Sequence, residues 1–185
     1  MDALTALTTR VSPTALDAPG PSAGALQKIL EAAVAAPDHG RMRPWRFILI
    51  EGAAREKFGA LLAESLQRRE PMAPAGKLEA ERKKALRAPL IVVVAAAVQA
   101  GAKVPEIEQV VAVGAAAQNM LVAAHALGFG GFWRTGATAY DPVVKRTLGL
   151  AETDAIIGFL YLGTTKTPGA PRANDASSVT CRWAG

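Results

Sequence analysis

Cysteine and histidine are nearly absent from this chain of 185 residues, which contains one Cys and two His. The single thiol, Cys181, excludes a disulfide within the chain. With only His39 and His125 beside it, the sequence offers no ligand spacing for zinc. We therefore expect no metal site and an inert thiol.

Three signatures of common enzyme classes are also missing. The chain has no G-x-x-x-x-G-K-[ST] phosphate loop. Gly128 and Gly130 are followed by strand-like residues instead of a helix, which argues against a dinucleotide fingerprint. The lack of a G-x-S-x-G elbow argues against an esterase. What remains is a ligand site built from arginines, glycines and aromatic side chains.

Aromatic residues are scarce, at 5% of the chain, and the net charge of +5 is not gathered in one stripe. The basic residues between 68 and 87 alternate with glutamates, as on a solvated helix face. Without interleaved aromatics they offer no stacking platform for bases, so we expect no nucleic-acid partner. An interaction module that uses these basic helices is the alternative.

The length and the apolar content of 50% suit one domain with a real core. We expect a single domain over residues 1–185, with 164–185 as a C-terminal tail. The first twelve residues lack the cationic start, apolar run and cleavage site of a signal peptide, so we expect a cytoplasmic protein.

Apolar periodicity and capping residues predict six helices and four strands. The predicted helices are 2–9, 22–36, 53–69, 77–87, 106–127 and 141–148. The predicted strands are 47–50, 89–95, 129–135 and 155–163. The second strand is an uninterrupted β-branched run, typical of a strand that is buried on both faces. The order of elements favours an α+β sandwich with mixed strand order.

The helix predicted at 106–127 is apolar around its whole circumference. Such a helix is buried in a core, in a subunit interface or in a membrane. Four polar residues argue against a membrane span: Gln109, Gln118, Asn119 and His125. Because a chain of 19.2 kDa has little room to bury this helix, we expect a homodimer. A charged residue at Val113 or Leu121 should then disrupt the interface.

The stretch from residue 36 to residue 47 leaves one helix, turns at two prolines and enters a strand. It holds three arginines, one histidine and one tryptophan. We expect Pro37 to end the helix and Pro44 to force Arg43 into an extended conformation. The segment is a candidate wall for an anionic, planar ligand.

Other candidate residues each have a second interpretation. Arg10 and Ser12 offer a guanidinium and a hydroxyl at a chain turn, which suits a phosphate monoester, or they are only a helix-end cation and a loop residue. His39 has two interpretations: it binds a ligand, or it donates hydrogen bonds to backbone carbonyls of the turn. Gly130 and Gly131 allow a close approach to a flat ring, or serve tight strand packing.

Three separated motifs resemble the nitroreductase superfamily, and most closely its minimal YdjA-type branch. The motifs are Arg10-Val11-Ser12, the pattern A-P-D-H-G-x-x-x-P-W-x-F from Ala36, and G-G-F-W-R-T-G from Gly130. The resemblance implies an α+β fold, a nitroreductase-like α/β/α sandwich with a central mixed, mainly antiparallel sheet flanked by helices. It also implies a homodimer that holds FMN at the interface.

Two sets of ligand-binding residues follow from the resemblance. The FMN set is Arg10, Val11, Ser12, His39, Trp133, Arg134 and Thr135. The NAD(P)H set is Ala123, Ala124, His125, Ala126, Leu127 and Gly128. The first four residues of the FMN set would bind from one subunit, and Arg10 and Arg134 would be the cations at the phosphate.

The implied activity is ping-pong hydride transfer from NADH or NADPH to a nitroaromatic, a quinone or a similar acceptor. The flavin carries the chemistry, so no side chain is assigned a catalytic role. Ala35 stands where close relatives can have a cation, and Arg41 stands where longer nitroreductases have an asparagine against the ring. These departures keep a second hypothesis open, a flavin-binding carrier or sensor without efficient turnover.

Overall fold

The structure is a computed structural model that describes residues 1–166, 169–171 and 175–185. The α-helices are α1 (Ala3–Thr9), α2 (Ala23–Val34), α3 (Ala54–Arg69), α4 (Ala75–Lys83), α5 (Glu106–Ala126) and α6 (Pro142–Thr147). The strands are β1 (Trp45–Glu51), β2 (Leu90–Ala96), β3 (Gly130–Arg134) and β4 (Ala155–Gly163). In the predicted tail, Pro168 lies outside the described residues.

The strands form one sheet in the order β1-β2-β4-β3. In its register Val92 of β2 lies opposite Leu160 of β4, and Phe132 of β3 lies opposite Tyr161. All pairings among the described strands are antiparallel. The predicted α+β fold with a mainly antiparallel sheet is confirmed.

Strand β2 separates two cores because its alternate side chains point to opposite faces of the sheet. Ile91 and Val93 pack toward α3 and α6, whereas Val92 and Val94 pack toward α2 and α5. Every residue of the strand is buried, as its β-branched sequence predicted. The sheet therefore has helices on both faces, which is the expected α/β/α sandwich.

Helix boundaries follow the predicted caps. Side-chain oxygens of Asp2, Ser22 and Asp141 accept backbone N–H groups in the first turns of α1, α2 and α6. Gly128, with φ of +85°, follows the C-terminus of α5. Helix α4 covers Ala75–Lys83 in place of the predicted 77–87, and a 3₁₀ turn at Lys84–Leu86 follows it.

One side of α5 packs on the sheet and belongs to the core. Val113 and Leu121 are 0% and 3% exposed. The prediction that a charge at either position acts on a subunit interface is therefore wrong, because both side chains point into their own chain. By length and composition alone α5 would also pass as a membrane span, and part of it is covered by this core.

The opposite side of α5 is covered less completely, and it is most exposed near its N-terminus. Ile107 and Val111, near its N-terminus, are 66% and 62% exposed. Their row continues at intervals of three or four residues, so its members share one helix face. This outer stripe of α5 consists of the exposed Ile107 and Val111 and of four half-buried residues, Gly114, Gln118, Val122 and His125.

Candidate functional site

The end of α1 is fixed to the end of α5 by a hydrogen bond between Thr9 and His125. Thr9 Oγ1 lies 2.9 Å from His125 Nε2. Because Thr9 Oγ1 already donates its proton to the Thr5 carbonyl at 2.7 Å, it accepts from His125, whose Nε2 is protonated. This contact holds the residues after Thr9 beside the C-terminal end of α5.

Arg10 and Ser12 form a donor pair at this end. Arg10 Nη1 donates to Ser12 Oγ at 3.0 Å and to the Val11 carbonyl at 3.3 Å. Ser12 Oγ accepts in this pair, so its hydroxyl proton stays available for a ligand oxygen. A guanidinium beside a hydroxyl donor suits a phosphate monoester. The structure thus brings together the first three residues of the predicted FMN set.

The predicted NAD(P)H set lies at the same end of α5, but its members differ in solvent exposure. Ala126, Leu127 and Gly128 are exposed, and His125 is half-buried. Ala124 is completely buried in the core, so its side chain cannot contact a nucleotide. Any contact to this set therefore comes from its exposed members.

His39 lies at the opposite end of α5. Its Nδ1 pairs with the carboxylate of Glu108, a partner that sequence reasoning missed. The pair leaves Nε2 of the imidazole for other contacts. A cavity of about 390 Å³ opens here, with a mainly apolar lining. Its lining residues are Pro37, His39, Ile107, Glu108, Val111, Ala112 and Ala115.

The contacts of His39 and of Thr9 lie near opposite ends of α5. A rise of 1.5 Å per residue places Glu108 and His125 about 25 Å apart. His39 is fixed to the first of these residues, and Arg10 directly follows the partner of the second. Within one chain the structure thus separates His39 from Arg10, and the expectation that Arg10, Val11, Ser12 and His39 bind FMN from one subunit stays a prediction.

Trp133 lies against β4 on the α5 side of the sheet. Its Nε1 donates to the Ile157 carbonyl at 3.0 Å, and the residue remains 37% exposed. A Cβ atom at Gly158 would lie 2.0 Å from Trp133 Nε1, so this indole position requires glycine. Gly158 is a positioning residue that sequence reasoning missed. Its signal was a glycine inside an otherwise bulky apolar strand.

The substitution Gly158→Ala should displace Trp133. We expect a loss of about 1 to 3 kcal/mol in the free energy of unfolding, because the new methyl group overpacks the site. The near-ultraviolet circular dichroism should change, and urea titration gives the stability. Gly24→Ala on α2 is the matched control, since an added Cβ there meets nothing within 4 Å. Equal behaviour of the two variants would contradict the proposed role of Gly158.

Arg134 follows Trp133 and points to the other face of the sheet. There it borders a hollow of about 40 Å³ together with Glu81, Lys84 and Tyr161. Burial raises the pKa of Tyr161 to about 12, while the charge of Arg134 acts in the opposite direction. Among the hydrogen bonds of the described residues, those of the Arg10 side chain go to Val11 and Ser12. That Arg10 and Arg134 bind one phosphate together stays a prediction.

Gly130 and Gly131 serve packing inside the chain. A Cβ atom at Gly130 would lie 2.1 Å from Thr165 Oγ1, and one at Gly131 would lie 2.9 Å from Leu121 Cδ2. Both glycines are buried. The structure therefore favours the interpretation that these glycines allow tight strand packing. It leaves no room for a flat ring to approach them.

The loop between α2 and β1 also differs from expectation. Arg43 has φ of +47°, so it is left-handed and not extended, although Pro44 follows it. Gly40 and Arg41 have φ of +68° and +53°. The cause is Asp38, whose carboxylate accepts the Arg43 N–H at 2.7 Å and closes the loop. Local chemistry here outweighs the usual effect of proline on the preceding residue.

The family model described as the nitroreductase family matches residues 7–164. The chain belongs to the nitroreductase family. The matched residues of this nitroreductase include Arg10, both ends of α5 and all four strands. The resemblance drawn from three motifs is thereby confirmed.

This nitroreductase is 42% identical over 178 residues to the Escherichia coli (strain K12) protein named "Putative NAD(P)H nitroreductase YdjA", covering 94% of each chain. Its fold matches the nitroreductase-like family protein from Bacillus cereus with a TM-score of 0.87, at 22% identity, over 100% of this chain and 97% of the other. A nitroreductase with bound FMN from Bacteroides fragilis matches with a TM-score of 0.75, at 21% identity, over 99% and 100%. At these identities the two solved structures show a shared fold.

Proposed function

We propose that this nitroreductase is an FMN-dependent oxidoreductase that uses NADH or NADPH to reduce nitroaromatics, quinones or similar acceptors by a ping-pong reaction. The observation that carries the proposal is the Arg10 and Ser12 donor pair, anchored on α5 through Thr9. The names of a relative and a structural neighbour, an NAD(P)H nitroreductase and an FMN-bound nitroreductase, support it.

The residues present fit this cofactor. Arg10 and Ser12 would hold the phosphate, because both present N–H or O–H donors at one place. Trp133 and Thr135 are exposed at the end of β3, where they would flank the ring or the ribityl chain, with Arg134 between them. When bound, FMN supplies the hydride chemistry. The protein binds and orients it, and we assign no side chain as acid, base or nucleophile.

A homodimer completes the site in this proposal. Two copies of α5 that cross in opposite directions through their outer stripes would place the His39 end of one chain beside the Arg10 end of its partner. Two-fold symmetry would produce two such sites. Ile107 and Val111 supply apolar surface for this contact. The proposal further comprises one FMN-binding domain over residues 1–185, a tail from 164 to 185, and a cytoplasmic location.

The experiment that tests the proposal begins with an absorption spectrum of the purified protein. We expect oxidised flavin bands and release of FMN, followed by consumption of NADH or NADPH when menadione or a nitroaromatic is added. A yellow protein without turnover would favour the carrier or sensor hypothesis. Release of FAD, or no flavin after reconstitution, would contradict the proposed cofactor.

A further inference from the structure

The loop between α2 and β1 holds two arginines in a costly backbone conformation. The φ angles of Arg41 and Arg43 lie in the left-handed region, which L residues with long side chains rarely adopt. Arg43 also precedes Pro44, which disfavours its observed conformation further. Glycine or asparagine would adopt these angles at lower cost. What arginine adds at both positions is therefore its guanidinium group.

The loop is fixed from two sides. The Asp38 carboxylate accepts the Arg43 N–H at 2.7 Å, and the Asp38 carbonyl accepts the Arg41 N–H at 3.2 Å. On the inner side Gly40 packs so closely on Val104 that an added Cβ would lie 2.8 Å from its Cγ2. Both arginines remain exposed to solvent. The contacts of Asp38 and Gly40 thus fix the backbone that holds both arginines at the surface.

Two carboxylates at the loop are already engaged. Asp38 accepts a backbone N–H, and Glu108 is paired with His39. In the part of the chain that the structure describes, neither Arg41 nor Arg43 has a carboxylate partner. Two positive charges without a carboxylate partner therefore lie two and four residues after His39, which lines the mainly apolar cavity.

We propose that Arg41 and Arg43 select substrates that carry an anionic group beside a planar ring. The inference rests on the proposed flavin-dependent function and concerns the His39 cavity, whose apolar lining suits an aromatic or nicotinamide ring. Guanidinium groups bind phosphate and carboxylate through paired N–H donors. The anion is either the 2′-phosphate of NADPH or a carboxylate on an aromatic acceptor, since both offer the same chemistry.

The test is the double variant Arg41→Gln/Arg43→Gln, which removes both charges and keeps polar, unbranched side chains. Two kcat/KM ratios are measured, NADPH over NADH and 4-nitrobenzoate over 4-nitrobenzyl alcohol. We expect one ratio to fall about five- to tenfold, because exposed ion pairs contribute modestly to binding. The ratio that falls identifies the source of the anion. In the wild type this ratio should also decrease with added salt.

Two controls separate charge from folding. Arg41→Lys/Arg43→Lys keeps both charges and should retain most of the ratio. Arg82→Gln, on the exposed face of α4, should change neither ratio, and thermal unfolding should match across all variants. Unchanged ratios in the glutamine variant would overturn the inference, as would a selective loss of affinity for FMN over riboflavin. A wild-type protein without flavin or menadione reduction would instead contradict the proposed function.

Discussion

The double variant Ile107→Glu/Val111→Glu should be a colourless monomer. Both side chains lie on the outer stripe of α5, where 66% and 62% of their surfaces are exposed in a single chain. In the proposed dimer two-fold symmetry brings each new carboxylate into the interface twice. Burial of unpaired charge is costly, so we expect dimerisation to weaken by roughly a hundredfold or more. Light scattering and the flavin absorbance of the same sample measure both effects.

Met72→Glu is the matched control for this variant. Met72 is 94% exposed in the segment between α3 and α4, far from the outer stripe in sequence and fold. The Met72→Glu variant should stay dimeric and yellow. Because the substituted side chains on α5 are not part of the core, the monomer should keep its far-ultraviolet circular dichroism. A dimer that retains FMN in the double variant would refute the proposed interface.

Arg10→Ala should weaken FMN binding by roughly tenfold to a hundredfold and leave riboflavin binding unchanged. A charge-assisted hydrogen bond to phosphate contributes on the order of 1.5 to 3 kcal/mol, and riboflavin has no phosphate. Titration of the apo-protein with each flavin measures the two dissociation constants. Equal losses for both flavins would mean that the ring pocket or the fold was damaged.

Arg134→Ala tests the other predicted phosphate cation in the same assay. Its side chain lies beside Glu81 and Tyr161 on the far face of the sheet from α5. We therefore expect it to lack the selective loss shown by Arg10→Ala. A selective loss of FMN affinity in both variants would support the prediction that both arginines bind the phosphate.

The sandwich could be predicted because its signals are local. The β-branched run of β2 shows burial on both faces, and Asp2, Ser22 and Asp141 indicate where helices begin. The pairing of Arg10 with Ser12 was also accessible, since two residues in a short turn have few ways to separate. Elements and short-range contacts are therefore readable from sequence.

Long-range placement was not readable in the same way. Which side of an evenly apolar helix meets the sheet depends on packing, so Val113 and Leu121 were assigned to the wrong surface. The separation of His39 from Arg10 depends on the route of α5 across the whole fold. The left-handed Arg43 results from a carboxylate five residues earlier, which competes with the usual effect of proline.

The outer stripe of α5 has a consequence for how the stability of this protein must be measured. If the stripe is covered only in the dimer, unfolding also separates the subunits, and mass action enters the equilibrium. Each tenfold dilution then lowers the apparent free energy of unfolding by about 1.4 kcal/mol. Melting temperatures of two variants are comparable only at equal protein concentration, and a dilute sample unfolds earlier than a concentrated one.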